Sequence, residues 1–184
     1  MLDRFIQLIE GNNFQPEDIE EVVAQPHPVV QFRAWRENTL RTSEDYCFYS
    51  PYLFACAAYR ITPARWHDPE VRNDPKIRDF MQRVRFSSII DEEDYVLAQL
   101  EDPKAFLMRI ELTARGKKFK EKIPYAKGRW TPDEFRNTDE ELVKKFSDNA
   151  SRVLTSDRAQ QVAKTILELE KLDNVGRVME ALTP

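Results

Sequence analysis

The stretch DYCFYSPYLFACAAYRITPARWHD, residues 45–68, combines an aromatic cluster with a run of small apolar side chains and turns charged only after Ala58. The Ser50-Pro51 step predicts a helix from about Pro51 to Arg60, because proline fits the first helical turn. That helix is apolar on nearly all sides, which is typical of a helix buried within the protein.

Tyr52 makes the start of this helix a candidate chemical site. A tyrosine can act as a general acid or base, and a buried hydroxyl needs a partner. The pattern also fits a core tyrosine bonded to the backbone. Cys56, in the same helix, is expected to be inert, because apolar surroundings raise the pKa of a thiol. His67 is interpreted as an aromatic contact with a carboxylate neighbour.

Helix signals flank the stretch on both sides. On the N-terminal side, Thr42 or Ser43 caps a short helix that breaks near Tyr49. On the C-terminal side, two helices begin at a proline. They run from Pro63 to about Val71 and from Pro75 to about Arg83.

Four strands are predicted from runs and alternations of apolar side chains. They cover Ile19–Gln25, Val84–Ile90, Ala105–Ala114 and Lys117–Tyr125. The last two form a β-hairpin across the two-residue turn Arg115-Gly116, with one face on a core and the other in water.

Helices occupy both ends of the chain. An amphipathic helix at the N-terminus ends at Gly11, whereas Val29–Leu40 fits either a short helix or an irregular crossing segment. The C-terminal helices are Asp139–Ala150, about Asp157–Leu169 and about Asn174–Leu182, the first of them opened by a capping box of Thr138 and Glu141. We therefore expect an α+β fold, with a small, mostly antiparallel sheet packed against helices and followed by C-terminal helices.

Composition excludes some classes of function. The chain has 184 residues, of which 41% are hydrophobic and 33% charged, and its net charge of −4 argues against nucleic acid or an anionic membrane as the main partner. It lacks a membrane-spanning run and the pattern of a signal peptide. Cys47 and Cys56 fit reduced, partly buried packing residues, so we expect a cytoplasmic protein. No Cys/His cluster has metal-ligand spacing, and no cofactor is expected.

A long loop from Ala126 to Asn137 is a second candidate site, because loops of this length are often functional or interfacial. Lys127 and Arg129 can bind a carboxylate, and Trp130 can seal a pocket. A solvated loop is the alternative.

Four segments, taken in order, resemble the C-terminal part of the MmgE/PrpD family, which includes 2-methylcitrate dehydratase, cis-aconitate decarboxylase and iminodisuccinate epimerase. They are PEDIEEVV from Pro16, YSPYLFACAA from Tyr49, DPKIRDFMQRVRF from Asp74, and GRW at Gly128 followed by TDEELVKKF from Thr138. The resemblance implies an α+β lid over residues 1–137 and a C-terminal helical segment over residues 138–184 that packs on the lid or on a partner.

The resemblance also implies a function. In the family the active site lies between the lid and a large helical domain that carries most catalytic residues. Tyr52 matches the lid tyrosine, and Ser50 or Tyr49 falls nearest the family's serine. We therefore expect the lid-bearing subunit of a two-chain enzyme, with the helical domain on another chain, catalysing a dehydratase-like elimination on a small polycarboxylate without a metal. The alternatives are a non-catalytic lid-like module that binds a partner or small molecule, and a fragment that never acts alone.

Overall fold

The computed structural model describes residues 1–27, 39–87, 96, 100–103, 105–128 and 133–183. The chain divides into two compact units. Unit 1 holds Met1–Ile61 and Arg65–Arg136, and unit 2 holds Thr62–Ala64 and Asn137–Pro184. Whether these units correspond to a functional lid and a partner-binding segment stays a prediction, and the expected segment Val29–Leu40 lies almost wholly outside the described residues.

Eight α-helices are formed by the described residues. They are α1 (Leu2–Gly11), α2 (Ser43–Phe48), α3 (Ser50–Ala58), α4 (Pro69–Asn73) and α5 (Pro75–Met81) in unit 1, and α6 (Asp139–Ala150), α7 (Ser156–Leu167) and α8 (Gly176–Leu182) in unit 2. Short 3-10 helices cover Pro16–Asp18, Pro63–Arg65, Asp133–Phe135 and Leu169–Lys171.

The four strands form one sheet in unit 1. They are β1 (Ile19–Gln25), β2 (Val84–Phe86), β3 (Met108–Ala114) and β4 (Lys117–Ile123), in the order β2-β1-β3-β4. β1 pairs with β2 in parallel, and the other two pairs are antiparallel. This confirms the predicted α+β fold with a mostly antiparallel sheet.

The hairpin follows from its turn residues. Arg115 and Gly116 both adopt positive φ, +50° and +69°, as a two-residue turn between twisted strands requires. β3 alternates buried and half-buried side chains, whereas β4 is mostly exposed. The lysines of β4 therefore face water along an edge strand, where charge discourages pairing with another chain.

The core of unit 1 lies between the sheet and the helices. α3 is at its centre, since it packs against α1, α2 and α5. Phe54 of α3 meets Phe5 of α1 edge-on, with ring centroids 5.1 Å apart. Ile110 and Leu112 on the inner face of β3 are fully buried. The predicted buried helix is thus confirmed as the element around which the other helices pack.

One predicted helix is replaced by two shorter elements. The helix expected from Pro63 to about Val71 is a 3-10 helix at Pro63–Arg65 followed by a separate helix that starts at Pro69. Proline has no N–H and clashes with the preceding turn of a helix, so Pro69 begins a new helix. Trp66, His67 and Asp68 lie in the turn between these elements.

Candidate functional site

Tyr52 is fully buried in the core of unit 1. Its hydroxyl donates a hydrogen bond to the backbone oxygen of Trp66. Its ring packs edge-on against Tyr46 of α2, with centroids 4.8 Å apart. Burial raises the pKa of Tyr52 far above its ordinary value of 10.0, so the phenol stays neutral at physiological pH. Tyr52 therefore joins α2 and α3 to the turn before α4, and its catalytic role stays a prediction.

The turn that Tyr52 holds is fixed by further hydrogen bonds. The indole Nε1 of Trp66 donates to the backbone oxygen of Ile61 at 2.7 Å. The backbone N–H of Asp68 donates to the oxygen of Arg65 at 2.9 Å, and the two side chains form an ion pair at 3.3 Å. The position of His67, between Trp66 and Asp68, is thus set from both sides.

Tyr49 and Ser50 lie at the start of α3, as the sequence predicted. Tyr49 is the N-cap, and its backbone oxygen accepts hydrogen bonds from the N–H groups of Tyr52 and Leu53. Burial raises the pKa of Tyr49. Both Tyr49 and Ser50 are half-buried, so they are more accessible than Tyr52, and their proposed contacts with substrate stay predictions.

The two cysteines lie in contrasting surroundings. Cys56 is fully buried in α3, and desolvation raises the pKa of its thiol to about 12. Cys47 in α2 is exposed, which corrects the expectation that both thiols are partly buried. The Cys47 Sγ lies 3.8 Å from Nδ1 and 3.9 Å from Nε2 of His67. The sequence interpretation of His67 missed this contact, which only folding creates between residues 20 positions apart.

Lys127 lies in a cleft of unit 1 on the far side of the hairpin from its turn. The cleft has a volume of about 370 Å³. It is lined by the start of α1, the end of β4 and the residues that follow, with Arg4, Lys122 and Lys127 as its cations and Asp3 and Glu134 as its carboxylates. Arg4 also pairs with Glu121 at 3.5 Å. The three cations outnumber the two carboxylates of the lining, so the cleft suits an anionic ligand.

The two candidate regions do not share this cleft. Its described lining includes none of Tyr49, Ser50 and Tyr52. The predicted binding residue Arg129 lies outside the described residues, as does Trp130. The two sides of the loop are joined by a hydrogen bond of 2.6 Å from the backbone N–H of Gly128 to the backbone oxygen of Phe135. The structure thus places Lys127 at a ligand-sized cleft.

Neither a metal-binding cluster nor a membrane-spanning helix is found in the part of the chain that the structure describes. No three side chains among its His, Cys, Asp and Glu residues are grouped so as to hold a metal ion. None of its helices has the length and apolar character needed to cross a bilayer.

Comparison with known proteins identifies a family for this chain. The family model of the MmgE/PrpD C-terminal domain matches residues 1–171 of the chain. No curated protein matches it. The matched range includes all of unit 1 and, in unit 2, the helices α6 and α7.

Proposed function

This chain belongs to the MmgE/PrpD family through its C-terminal domain, and we propose that it is the lid-bearing subunit of a two-chain lyase of that family. Another chain supplies the helical catalytic domain. The observation that carries the proposal is the family match itself, because it extends over 1–171 and so takes in the sheet, the buried helix α3 and most of unit 2.

The proposed reaction is a dehydratase-like elimination on a small polycarboxylate. A base removes a proton from the carbon next to a carboxylate, and the β-substituent, most often water, leaves. Cations beside the carboxylates stabilise the negative charge that develops in the transition state. The cleft at Lys127 supports this step, because Arg4 and Lys122 line it as well. Tyr52, Tyr49 and Ser50 are proposed to act from the start of α3, and Arg129 from the loop.

The surface of unit 2 supports a partner domain. Large apolar side chains on or beside its helices are between 40% and 66% exposed; they are Leu142, Val153, Ile166, Leu167, Leu169, Val175 and Met179. Among its described residues, the buried apolar ones are Leu154, Ala159, Val162, Ala163 and Val178. Of these, two are alanines, so the unit has a small core and a large exposed apolar surface, as expected of a surface that another helical domain covers.

One observation favours the alternative, a non-catalytic lid-like binding module. Tyr52 has no exposed surface, and its hydroxyl is bonded to Trp66. A tyrosine that acts on substrate must expose its hydroxyl, and Tyr52 is not among the described residues that line the cleft at Lys127. The catalytic proposal therefore requires that this hydrogen bond breaks and that bound substrate extends to the start of α3. In the binding module the bond is purely structural.

Reconstitution of a two-chain complex distinguishes the proposed lyase subunit from the non-catalytic binding module. The full chain is co-expressed with a helical MmgE/PrpD domain from the same organism, and elimination is followed by the ultraviolet absorbance of the new conjugated double bond. We expect a stoichiometric complex that turns over a polycarboxylate, while each chain alone is inactive. If the chain purifies as a stable monomer and the mixture shows neither complex nor turnover, the two-chain lyase is wrong.

Lys127 provides a test of the cleft within that assay. Lys127→Gln is expected to raise KM for a polycarboxylate because a carboxylate loses a charged partner. Lys120→Gln in unit 1, where the exposed Lys120 of β4 pairs with Glu111 at 2.8 Å, is the matched control and should leave KM unchanged. An equal effect of both changes would remove Lys127 from the site.

The proposal also places the protein in the cytoplasm. Both cysteines are free thiols, which persist most readily in a reducing compartment.

A further inference from the structure

Cys47 and His67 form a thiol–imidazole pair on the surface of unit 1, and neither is among the described residues that line the cleft. Both side chains are exposed. The Cys47 Sγ also lies 3.5 Å from the backbone oxygen of Ser43, one helical turn back. Oxidants in solvent can therefore reach Cys47. Its two polar neighbours differ in their chemistry, because the backbone oxygen of Ser43 can only accept a hydrogen bond from the thiol, whereas the imidazole of His67 can also take its proton.

The imidazole of His67 lies close to the sulfur of Cys47. The Sγ–Nδ1 and Sγ–Nε2 distances are 3.8 Å and 3.9 Å. A neutral imidazole has one protonated and one unprotonated nitrogen. Because both nitrogens lie within 4 Å of Sγ, the unprotonated nitrogen is close to the thiol of Cys47 in either neutral tautomer.

The pair is held by the core. Tyr46, the residue before Cys47, packs against the ring of Tyr52. Trp66, the residue before His67, accepts the hydrogen bond from the hydroxyl of Tyr52. One buried side chain thus fixes the backbone beside both members of the pair, so their proximity is a property of the folded unit and not of two independent surface residues.

We propose that Cys47 is a peroxide-reactive thiol whose proton is accepted by His67. The imidazole takes the proton from Sγ, and the thiolate, which is the nucleophilic form of cysteine, attacks one oxygen of hydrogen peroxide. An S–O bond forms as the O–O bond breaks. The departing hydroxide takes the proton from the imidazolium and leaves as water. Cys47 becomes a sulfenic acid, so the sulfur is oxidised by two electrons and the peroxide is reduced.

Cys56 is the internal control. It is a thiol in the same chain, but it is fully buried and its pKa is raised. Apolar burial makes a thiol unreactive. Cys56 should therefore stay reduced in the folded chain and react only when the chain unfolds.

The experiment treats the full folded chain with hydrogen peroxide and traps sulfenic acid with dimedone. Cys47 and Cys56 lie between Arg41 and Arg60 without an intervening lysine or arginine, so one tryptic peptide contains both. Fragment-ion mass spectrometry assigns the adduct to one of them. We expect dimedone on Cys47 alone.

Two substitutions test whether His67 accepts the proton of the Cys47 thiol. In His67→Gln the second-order rate of Cys47 oxidation should fall about tenfold, which is less than the roughly 100-fold or more of a general base in an active site, because the pair is exposed. In His67→Gly, added imidazole should restore the rate, which it would not do if His67 were merely structural. Circular dichroism verifies that both variants are folded.

Three results would overturn the proposal. One is an equal oxidation rate in the unchanged chain and in His67→Gln. Another is a Cys47 rate in the folded chain no higher than in the chain unfolded in urea. The third is the absence of imidazole rescue in a folded His67→Gly variant.

Discussion

Replacing Tyr52 with phenylalanine tests the contact that organises the candidate site. The change removes one hydroxyl and keeps the ring. The ring contact with Tyr46, at 4.8 Å between centroids, is retained, and no cavity of the kind that makes large-to-small changes costly is opened. What is lost is the donor to the backbone oxygen of Trp66.

The magnitude follows from the burial of the two partners. An unsatisfied buried acceptor costs about 1–3 kcal/mol. Tyr52 is fully buried, but Trp66 is only half-buried, so water can partly replace the lost donor. We therefore expect the free energy of unfolding of unit 1 to fall by about 1–2 kcal/mol, in the lower part of that range.

Urea unfolding followed by tryptophan fluorescence measures this loss. Trp66 lies in unit 1, at the hydrogen bond that the change removes, so its fluorescence reports on that unit. With an m-value of about 2 kcal/mol/M, the midpoint should fall by about 0.5–1 M while m is unchanged. Tyr59→Phe is the matched control, since Tyr59 lies at the C-cap of α3 and is partly exposed. It should change stability by less than about 0.5 kcal/mol.

The same variant distinguishes a structural tyrosine from a catalytic one. If Tyr52 also acts on substrate, turnover of the reconstituted complex should fall about 100-fold or more while the complex still assembles. A loss of stability with unchanged turnover removes Tyr52 from the catalytic residues. An unchanged urea midpoint would refute the structural reasoning, because it would mean that the bond to Trp66 contributes nothing.

Three other predictions follow from caps and ionisable groups. Thr138→Ala removes the side-chain acceptor of the N–H of Glu141 and should lower the stability of α6 by about 1 kcal/mol, measured by far-ultraviolet circular dichroism. The hydrogen bond from Arg115 lowers the pKa of Asp18 in the folded chain. The stability that this gives is present above the pKa that Asp18 has in the unfolded chain, and it is lost as the pH falls through the pKa of Asp18 in the folded chain. In Arg115→Leu the pKa of Asp18, followed by NMR titration, should therefore rise toward 3.8. The raised pKa of Cys56 means that the thiol loses its proton at a lower pH in the unfolded chain than in the folded one, so the free energy of unfolding falls as the pH rises above about 9. Cys56→Ala should make this fall less steep by up to about 1.4 kcal/mol per pH unit. An unaltered slope in urea titrations would contradict the burial of the thiol.

Local chemistry made much of the fold predictable. The strand Ile19–Gln25 has the predicted bounds, and the hairpin turns at Arg115-Gly116 because positive φ is needed at both positions. The capping box of Thr138 and Glu141 opens α6 as expected. Each of these features depends on side chains within a few residues of one another, so each is visible in the sequence.

Pairing between distant segments was less predictable. The parallel pairing of β1 with β2, in which Val22 lies beside Val84, has no local signature, because it depends on where the intervening helices carry the chain. The helix expected from Pro63 was too long, since Pro69 starts a separate element. The strand expected to reach Ile90 ends at Phe86, and residues 88–90 lie outside the described part.

The sequence by itself determined the α+β class, the buried helix at Pro51 and the family, because apolar periodicity, turn residues and motif order are properties of the linear chain. Only the tertiary structure decided what the polar groups of residues 45–68 contact. The hydroxyl of Tyr52 reaches Trp66, and the thiol of Cys47 reaches His67. A hydrogen bond acts only over a few ångströms, so its partner is set by how helices pack and not by spacing along the chain.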